Sequence, residues 1–376
     1  MSFGSLYRTP RRACGRAWNI LVEKGGAGGG GAGQAFLDTF LPRLYPAGRH
    51  SHVGNNPLMP LAFVFPGQGS QTVGMGRDLA AAFPAAREVF EAVDDTLKQK
   101  LSALMFEGPA EELTLTANAQ PALMAVSLAV LRVLEQEGGF DLKSRVALVA
   151  GHSLGEYSAL AAAQTFDVAT AARLLRLRGD AMQKAVPAGT GAMAALLGAD
   201  MEQARAICAR AAEAPDGSHE VVEAANDNGG GQVVISGHRA AVERAVELAK
   251  AEGIRKAMIL PVSAPFHSSL MAPAADAMAE ALALAELRPP VVPLVANVSA
   301  AKATDPAEIR ELLVRQVTGT VRWRECVGAM VELGCDRFVE IGSGKVLTGL
   351  AKRLAPDAGA MSVGNPADIE AFLKSL

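Results

Sequence analysis

The sequence predicts an α/β protein in which a largely parallel sheet is interrupted by a small inserted βαββαβ unit. Three observations carry that expectation. Apolar runs of strand length alternate with helix-length stretches, the texture of a parallel sheet covered by helices. The pentapeptide Gly151-His152-Ser153-Leu154-Gly155 joins an apolar run, 146–150, to an Ala-rich stretch, 156–163, as strand, sharp turn and helix. Between about residues 187 and 262 the order changes to strand, helix, strand, strand, helix, strand, the split ferredoxin-like unit.

The first convincing strand is Leu61-Ala62-Phe63-Val64-Phe65, shortly after Met59. Ahead of it, Gly25 to Gly33 is broken only by Ala27 and Ala32, a tract with no side chains to bury, so residues 1–58 are expected to be a disordered extension. There Arg8, Arg11, Arg12, Arg16, Lys24, Arg43 and Arg49 are opposed only by Glu23 and Asp38. Such a start fits a transit peptide; the strand beginning beside Met59 favours Met59 as the working start instead. Pro66-Gly67-Gln68-Gly69-Ser70-Gln71 then reads as a loop opening toward a helix at about 78–90. Helices follow near 119–137 and, beyond the pentapeptide, at 168–184. Pro187-Ala188-Gly189 punctuates the chain.

The inserted unit reads as strand 193–197, helix 201–212, strands 221–225 and 232–236, helix 240–251 and strand 256–261. Asn226-Asp227-Asn228-Gly229-Gly230-Gly231 supplies the residues a hairpin connection favours. Further strands are expected near 291–295 and 337–341. The expected organisation is a core of 59–186 and 263–376 with a subdomain at 187–262.

With 376 residues, half of them hydrophobic, the chain can bury a sizeable core. A net charge of −3 and 5% aromatic residues offer nothing for nucleic acid to bind. Cys14, Cys208, Cys326 and Cys335 form no C-x-x-C pair and read as free thiols, neither a disulfide frame nor a metal site. No apolar run is read as long enough to span a bilayer, so a soluble, cytoplasmic protein is expected. No phosphate loop or dinucleotide fingerprint is present.

Ser153 is the candidate nucleophile. Flanking glycines permit the tight turn, and the following helix presents free N–H groups to a developing oxyanion. A serine hydroxyl needs a base. His50 and His52 lie in the leader, His219 and His238 flank the insert strands and read as solvated, and His152 belongs to the turn itself. His267, in Val262-Ser263-Ala264-Pro265-Phe266-His267-Ser268, sits in a loop at the exit of the insert and is the candidate base. Arg178, on the helix after the turn, reads equally as a solvated or Asp180-paired arginine and as a clamp for a substrate carboxylate.

Five ordered motifs carry a family resemblance: Phe65-Pro66-Gly67-Gln68-Gly69-Ser70-Gln71, Gly151-His152-Ser153-Leu154-Gly155-Glu156-Tyr157, Arg178-Gly179, Pro265-Phe266-His267, and Glu340-Ile341-Gly342-Ser343-Gly344-Lys345-Val346-Leu347. Over about residues 60–355 the chain resembles the malonyl-CoA:acyl carrier protein transacylases of fatty acid synthesis. The resemblance implies an α/β-hydrolase-like core with a ferredoxin-like insert. It implies malonyl-CoA and acyl carrier protein as alternating partners in a ping-pong reaction, no cofactor beyond CoA as substrate, no metal, and a monomer. Carried over, it makes Ser153 the carrier of a malonyl ester and His267 the general base. It makes the backbone N–H groups of Gln68 and Leu154 an oxyanion hole, and Arg178 the holder of the malonyl carboxylate. Gln316 aligns with the position whose main-chain carbonyl orients the histidine, and the bulky Phe266 with malonyl-selective relatives. The acidic carrier needs a basic rim, for which Arg255-Lys256 and Lys352-Arg353 are candidates beside ordinary solvated charges. Two departures stand out: the leader, and a Gly229-Gly230-Gly231 run richer in glycine than expected. The competing expectations are a serine esterase or thioesterase, which needs an ordered acid between Ser153 and His267, a polyketide-type acyltransferase domain, and a non-catalytic carrier-binding module.

Overall fold

A computed structural model describes residues 60–254 and 256–376. The expected disordered extension, Cys14 and Arg255 lie outside the described residues. The strands, in chain order, are β1 (Leu61–Phe65), β2 (Val146–Gly151), β3 (Gly191–Leu197), β4 (Val222–Asp227), β5 (Gln232–His238), β6 (Lys256–Ile259), β7 (Leu294–Val295), β8 (Lys302–Ala303), β9 (Arg337–Ile341) and β10 (Gly359–Val363).

They form two sheets. The larger has the order β10-β9-β1-β2-β7-β8, parallel throughout except for the antiparallel edge pair β7–β8. β1 is central and buried at every position, so it reads as a continuous apolar run and not as an alternation. The smaller sheet, β4-β5-β3-β6, is wholly antiparallel and packs under helices Met201–Ala211 and Arg239–Ala251 around Leu196, Ile207, Ile235 and Val242.

Two sequence expectations are corrected. The helix expected across 78–90 is two helices, Arg77–Ala82 and Pro84–Leu97. Pro84 cannot donate a helical hydrogen bond, so Phe83 turns extended (φ −128°) and a second helix starts at the proline. The helix Thr116–Gln136 is long and apolar enough to cross a membrane by length and composition, contrary to the reading that no run qualifies. It is instead a core helix, with 89% of its apolar window buried.

The hairpin tip Gly229-Gly230-Gly231 has φ of +69°, +58° and +73°, a left-handed run that only glycine adopts without strain. It folds the tip against Leu354, Arg324 and Arg353. From that tip Asp227 pairs with Arg324 at 2.8 Å, and backbone bonds link Ala225 and Asp227 to Val321. The smaller sheet is thus tied to the larger unit at the rim of the cavity described next.

Candidate active site

The residues beyond the carboxyl ends of the neighbouring strands β1 and β2 line a cavity of about 490 Å³. Ser153 follows β2, Gln68 follows β1, and both line it together with Arg178, Phe266 and His267.

The turn after β2 is built by close approach. A Cβ on Gly155 would lie 2.2 Å from the Phe65 carbonyl oxygen, and one on Gly151 would lie 1.9 Å from the Gly155 carbonyl. The compression places Ser153 at φ +53°, outside the usual region for an L-residue. His267 sits at φ +58°. Two facing side chains on strained backbone are the kind of outlier that clusters at active sites.

Ser153 Oγ is 2.7 Å from His267 Nε2. His267 Nδ1 is 2.9 Å from the Gln316 main-chain carbonyl, which can only accept. Nδ1 therefore carries the proton, and Nε2 is left free to accept from the serine hydroxyl. Burial, followed by the positive charge of Arg178, pushes the His267 pKa down to about 3, against the hydrogen bond to Gln316. The imidazole is neutral at physiological pH and available as a base.

Arg178 is 1% exposed. Nη1 donates to Gln120 Oε1 (2.8 Å), while Nη2 donates to Gln316 Oε1 (2.8 Å) and Ser153 Oγ (3.1 Å). Nε has no partner. Among the described residues no carboxylate is hydrogen-bonded to this cation, and the alternative pairing with Asp180 is not formed. Burial lowers its pKa, opposed by Tyr157 and Glu156; the Tyr157 ring lies 5.7 Å from the guanidinium carbon.

Gln316 contributes more than its carbonyl. Its side chain accepts from Arg178 and donates to Ser153 O (2.9 Å) and Glu156 Oε2 (3.0 Å). Leu154 precedes the first turn of helix Gly155–Ala162. Among the described residues neither the Leu154 nor the Gln68 N–H donates to a protein acceptor, which leaves both free for a ligand oxygen.

Four supporting residues escaped the sequence reading. Asn297 accepts from Ser153 N (2.8 Å) and donates to Gly151 O (2.7 Å), so one amide straddles the turn. Glu156, fully buried, accepts from Asn297 N (2.9 Å) and Gln316; burial pushes its pKa up to about 7, against those bonds and the charge of Arg178. Gln120 holds Arg178, and Asn228 at the tip of the β4–β5 hairpin bonds His152 (2.9 Å). Glu156 was legible as a neighbour of Gly155; the other three carry no local signal. One histidine reading also changes. His238 is not simply solvated, since Nδ1 accepts from Val221 N at 2.9 Å, whereas His219 is exposed beside Glu213.

Comparison with known proteins agrees with this geometry. The acyl transferase domain family matches residues 62–362. The malonyl CoA-acyl carrier protein transacylase of Escherichia coli K12 is 47% identical over 317 residues, 84% of this chain and 100% of that protein. The chain belongs to the malonyl CoA-acyl carrier protein transacylase family. As a member of that family it is an acyltransferase. The solved acyl-carrier-protein-S-malonyltransferase of Bartonella henselae shares 56% identity with this family member, with a TM-score of 0.81 over 84% of this chain and 99% of the other. A type II PKS acyl-carrier protein in complex with its malonyl-transacylase gives 44% identity and a TM-score of 0.80, covering 84% and 100%.

The depressed His267 pKa has a kinetic and a thermodynamic consequence. The acid limb of kcat/KM should lie well below the ordinary imidazole value of 6.5, so acylation rates are expected to stay flat between about pH 5 and pH 7. A limb near 6.5 in initial-rate measurements would contradict this. Because the folded-state value lies below the unfolded one, His267 contributes stability that is present above about pH 6.5 and lost as pH falls toward 3.

Proposed function

We propose that this chain transfers the malonyl group of malonyl-CoA to the phosphopantetheine thiol of acyl carrier protein, by a ping-pong route through a malonyl ester on Ser153. One observation carries the reading: a buried guanidinium to which no carboxylate among the described residues is hydrogen-bonded stands 3.1 Å from the nucleophilic oxygen. An acyl group ending in a carboxylate supplies the missing anion, taken by Nε and an Nη proton of Arg178.

The steps follow from the hydrogen bonds. His267 Nε2 takes the Ser153 proton as Oγ attacks the thioester carbonyl. The oxyanion sits on the Gln68 and Leu154 N–H groups, a contribution of about 10²–10³ per donor. Collapse breaks the C–S bond, and the departing CoA thiolate takes the proton from His267. The carrier thiol then gives its proton to His267 and attacks the ester; collapse returns the proton to Ser153. No metal and no cofactor beyond the CoA thioester enters these steps. The solved complex of a related malonyl-transacylase with its carrier protein supports the acceptor, and the reading places the reaction in the cytoplasm.

The division into a core (59–186 and 263–376) and a ferredoxin-like insert (187–262) belongs to the same proposal. The spatial order β6-β3-β5-β4 supports it. Phe266, 7% exposed and lining the cavity, limits room beside the malonyl methylene; equal kcat/KM for malonyl-CoA and methylmalonyl-CoA would remove that role. A hydrolase is disfavoured because His267 Nδ1 faces a carbonyl and not an acid.

For carrier docking, Lys352 and Arg353 are exposed on helix Val346–Leu354, whose Val346, Leu347 and Leu350 line the cavity. Lys256 is exposed on the edge strand of the smaller sheet. Reversal of Lys352 and Arg353 to Glu is expected to raise KM for carrier protein about tenfold while leaving acylation by malonyl-CoA unchanged. An unchanged KM removes this docking face.

The deciding experiment is intact mass after mixing with malonyl-CoA alone. An adduct that acyl carrier protein discharges supports the transferase; steady release of free malonate with no adduct supports a hydrolase, and neither leaves a binding module.

A further inference from the structure

The hydrogen bonds of Arg178 run outward in two directions, and one of them leaves the residues of the proposed mechanism. A guanidinium can only donate. Arg178 Nη1 lies 2.8 Å from Gln120 Oε1, so the Gln120 carbonyl oxygen must face the arginine and its NH₂ must face away. That NH₂ donates to Thr116 Oγ1 at 2.9 Å. Having accepted there, the Thr116 hydroxyl directs its own proton to Gln68 Oε1 at 2.9 Å. Gln120 and Thr116 are each 1% exposed and lie four residues apart at the start of helix Thr116–Gln136. Reversing the Gln120 amide would set its NH₂ against the N–H groups of Arg178 in a buried site, at the cost of unsatisfied polar groups.

We propose that Thr116 and Gln120 form a positioning relay through which Arg178 sets the orientation of the Gln68 loop, the oxyanion side of the cavity. The inference rests on the roles proposed above for Arg178 and Gln68. Loss of Arg178 removes the carboxylate clamp and also releases the Gln120 amide to turn over, which slackens the Gln68 loop. Recognition of the acyl carboxylate and stabilisation of the oxyanion are thereby joined in one network. The Gln316 amide, polarised by the same guanidinium, serves the nucleophile side in parallel.

The test uses acetyl-CoA, whose transfer can be followed with and without Arg178. The saturating rate and KM for Ser153 acylation are measured by intact mass for the parent, Thr116→Val, Thr116→Ser, Arg178→Ala and the double variant Arg178→Ala/Thr116→Val. Thr116→Val keeps the side-chain shape and removes the hydroxyl. It is expected to lower the saturating rate about fivefold, the effect of one neutral hydrogen bond, with KM changed less than about twofold. Thr116→Ser should restore the parent rate. In the Arg178→Ala background the same Thr116→Val change should alter the rate less than about twofold, because the relay has lost its anchor. An equal loss in both backgrounds, or a loss that serine does not restore, overturns the relay. A parent protein that is acylated by neither malonyl-CoA nor acetyl-CoA overturns the proposed function, and the relay with it, before any variant is compared.

Discussion

Ser153→Ala is expected to abolish the malonyl adduct and to lower turnover by on the order of 10⁴–10⁶, the scale seen when a nucleophile that works as a unit with its base is removed. The loss falls on chemistry and not on folding. Alanine differs from serine by one oxygen, and the backbone at φ +53° is held by Asn297 on both sides of the turn, through main-chain groups the variant retains. Arg178 and Leu154 also remain in place, so malonyl-CoA should still bind. Intact mass, thermal unfolding and titration with malonyl-CoA together check this. An adduct retained in the variant would move the acylated oxygen elsewhere.

Arg178→Ala is expected to cost about 10²–10⁴ in kcat/KM for malonyl-CoA, from two charge-assisted hydrogen bonds of roughly 1.5–3 kcal/mol each. Acetyl-CoA, with no carboxylate to place, should lose far less, so the malonyl preference collapses. Two side effects accompany the change. Gln120 and Gln316 lose a donor, and His267 loses a neighbouring positive charge, which raises its proton affinity. Initial rates with both thioesters decide the matter. Equal proportional losses for the two would mean that Arg178 supports the scaffold and does not read the acyl group.

The elements most legible in the sequence are those with a local cause. β1, β9 and helix Val168–Lys184 match their expected bounds: β1 is a short apolar run buried throughout, β9 is buried from Phe338 to Ile341 although it carries Arg337 and Glu340, and the helix has a capping Asp167 that accepts from Thr170 N. The strands of the smaller sheet lie within a few residues of their expected bounds, with the Asn/Gly connection marking where β4 ends and β5 begins. Edge strands β8 and β10 were not expected, since short strands in which only Ala303 and Val363 are buried leave little pattern to read. The expected helix across Pro84 failed because apolar periodicity continued through a residue whose backbone stops it. Within the site, Ser153 and His267 were legible because each sits in a peculiar local sequence. Asn297 was not: it meets Ser153 across 144 residues, and nothing in Ala296-Asn297-Val298 announces that. Gln120 and Thr116 were invisible for the same reason, being polar residues on a helix whose local pattern asks only for burial.

On the ester route proposed above, the carbonyl, and not a carboxylate, behind His267 bears on what the acyl-enzyme can give its cargo to. A dipole steadies an imidazolium far less than a full negative charge does, so the histidine cannot hold a proton for long. An acceptor that surrenders its proton readily suits such a weak helper. Free thiols, with pKa about 8.5, do so, whereas water at about 15.7 does not. On the proposed route the weakness of the pair would therefore act as a filter on the second half-reaction: sulfur nucleophiles would be served and solvent left waiting, so that the acyl group survives long enough to be handed on.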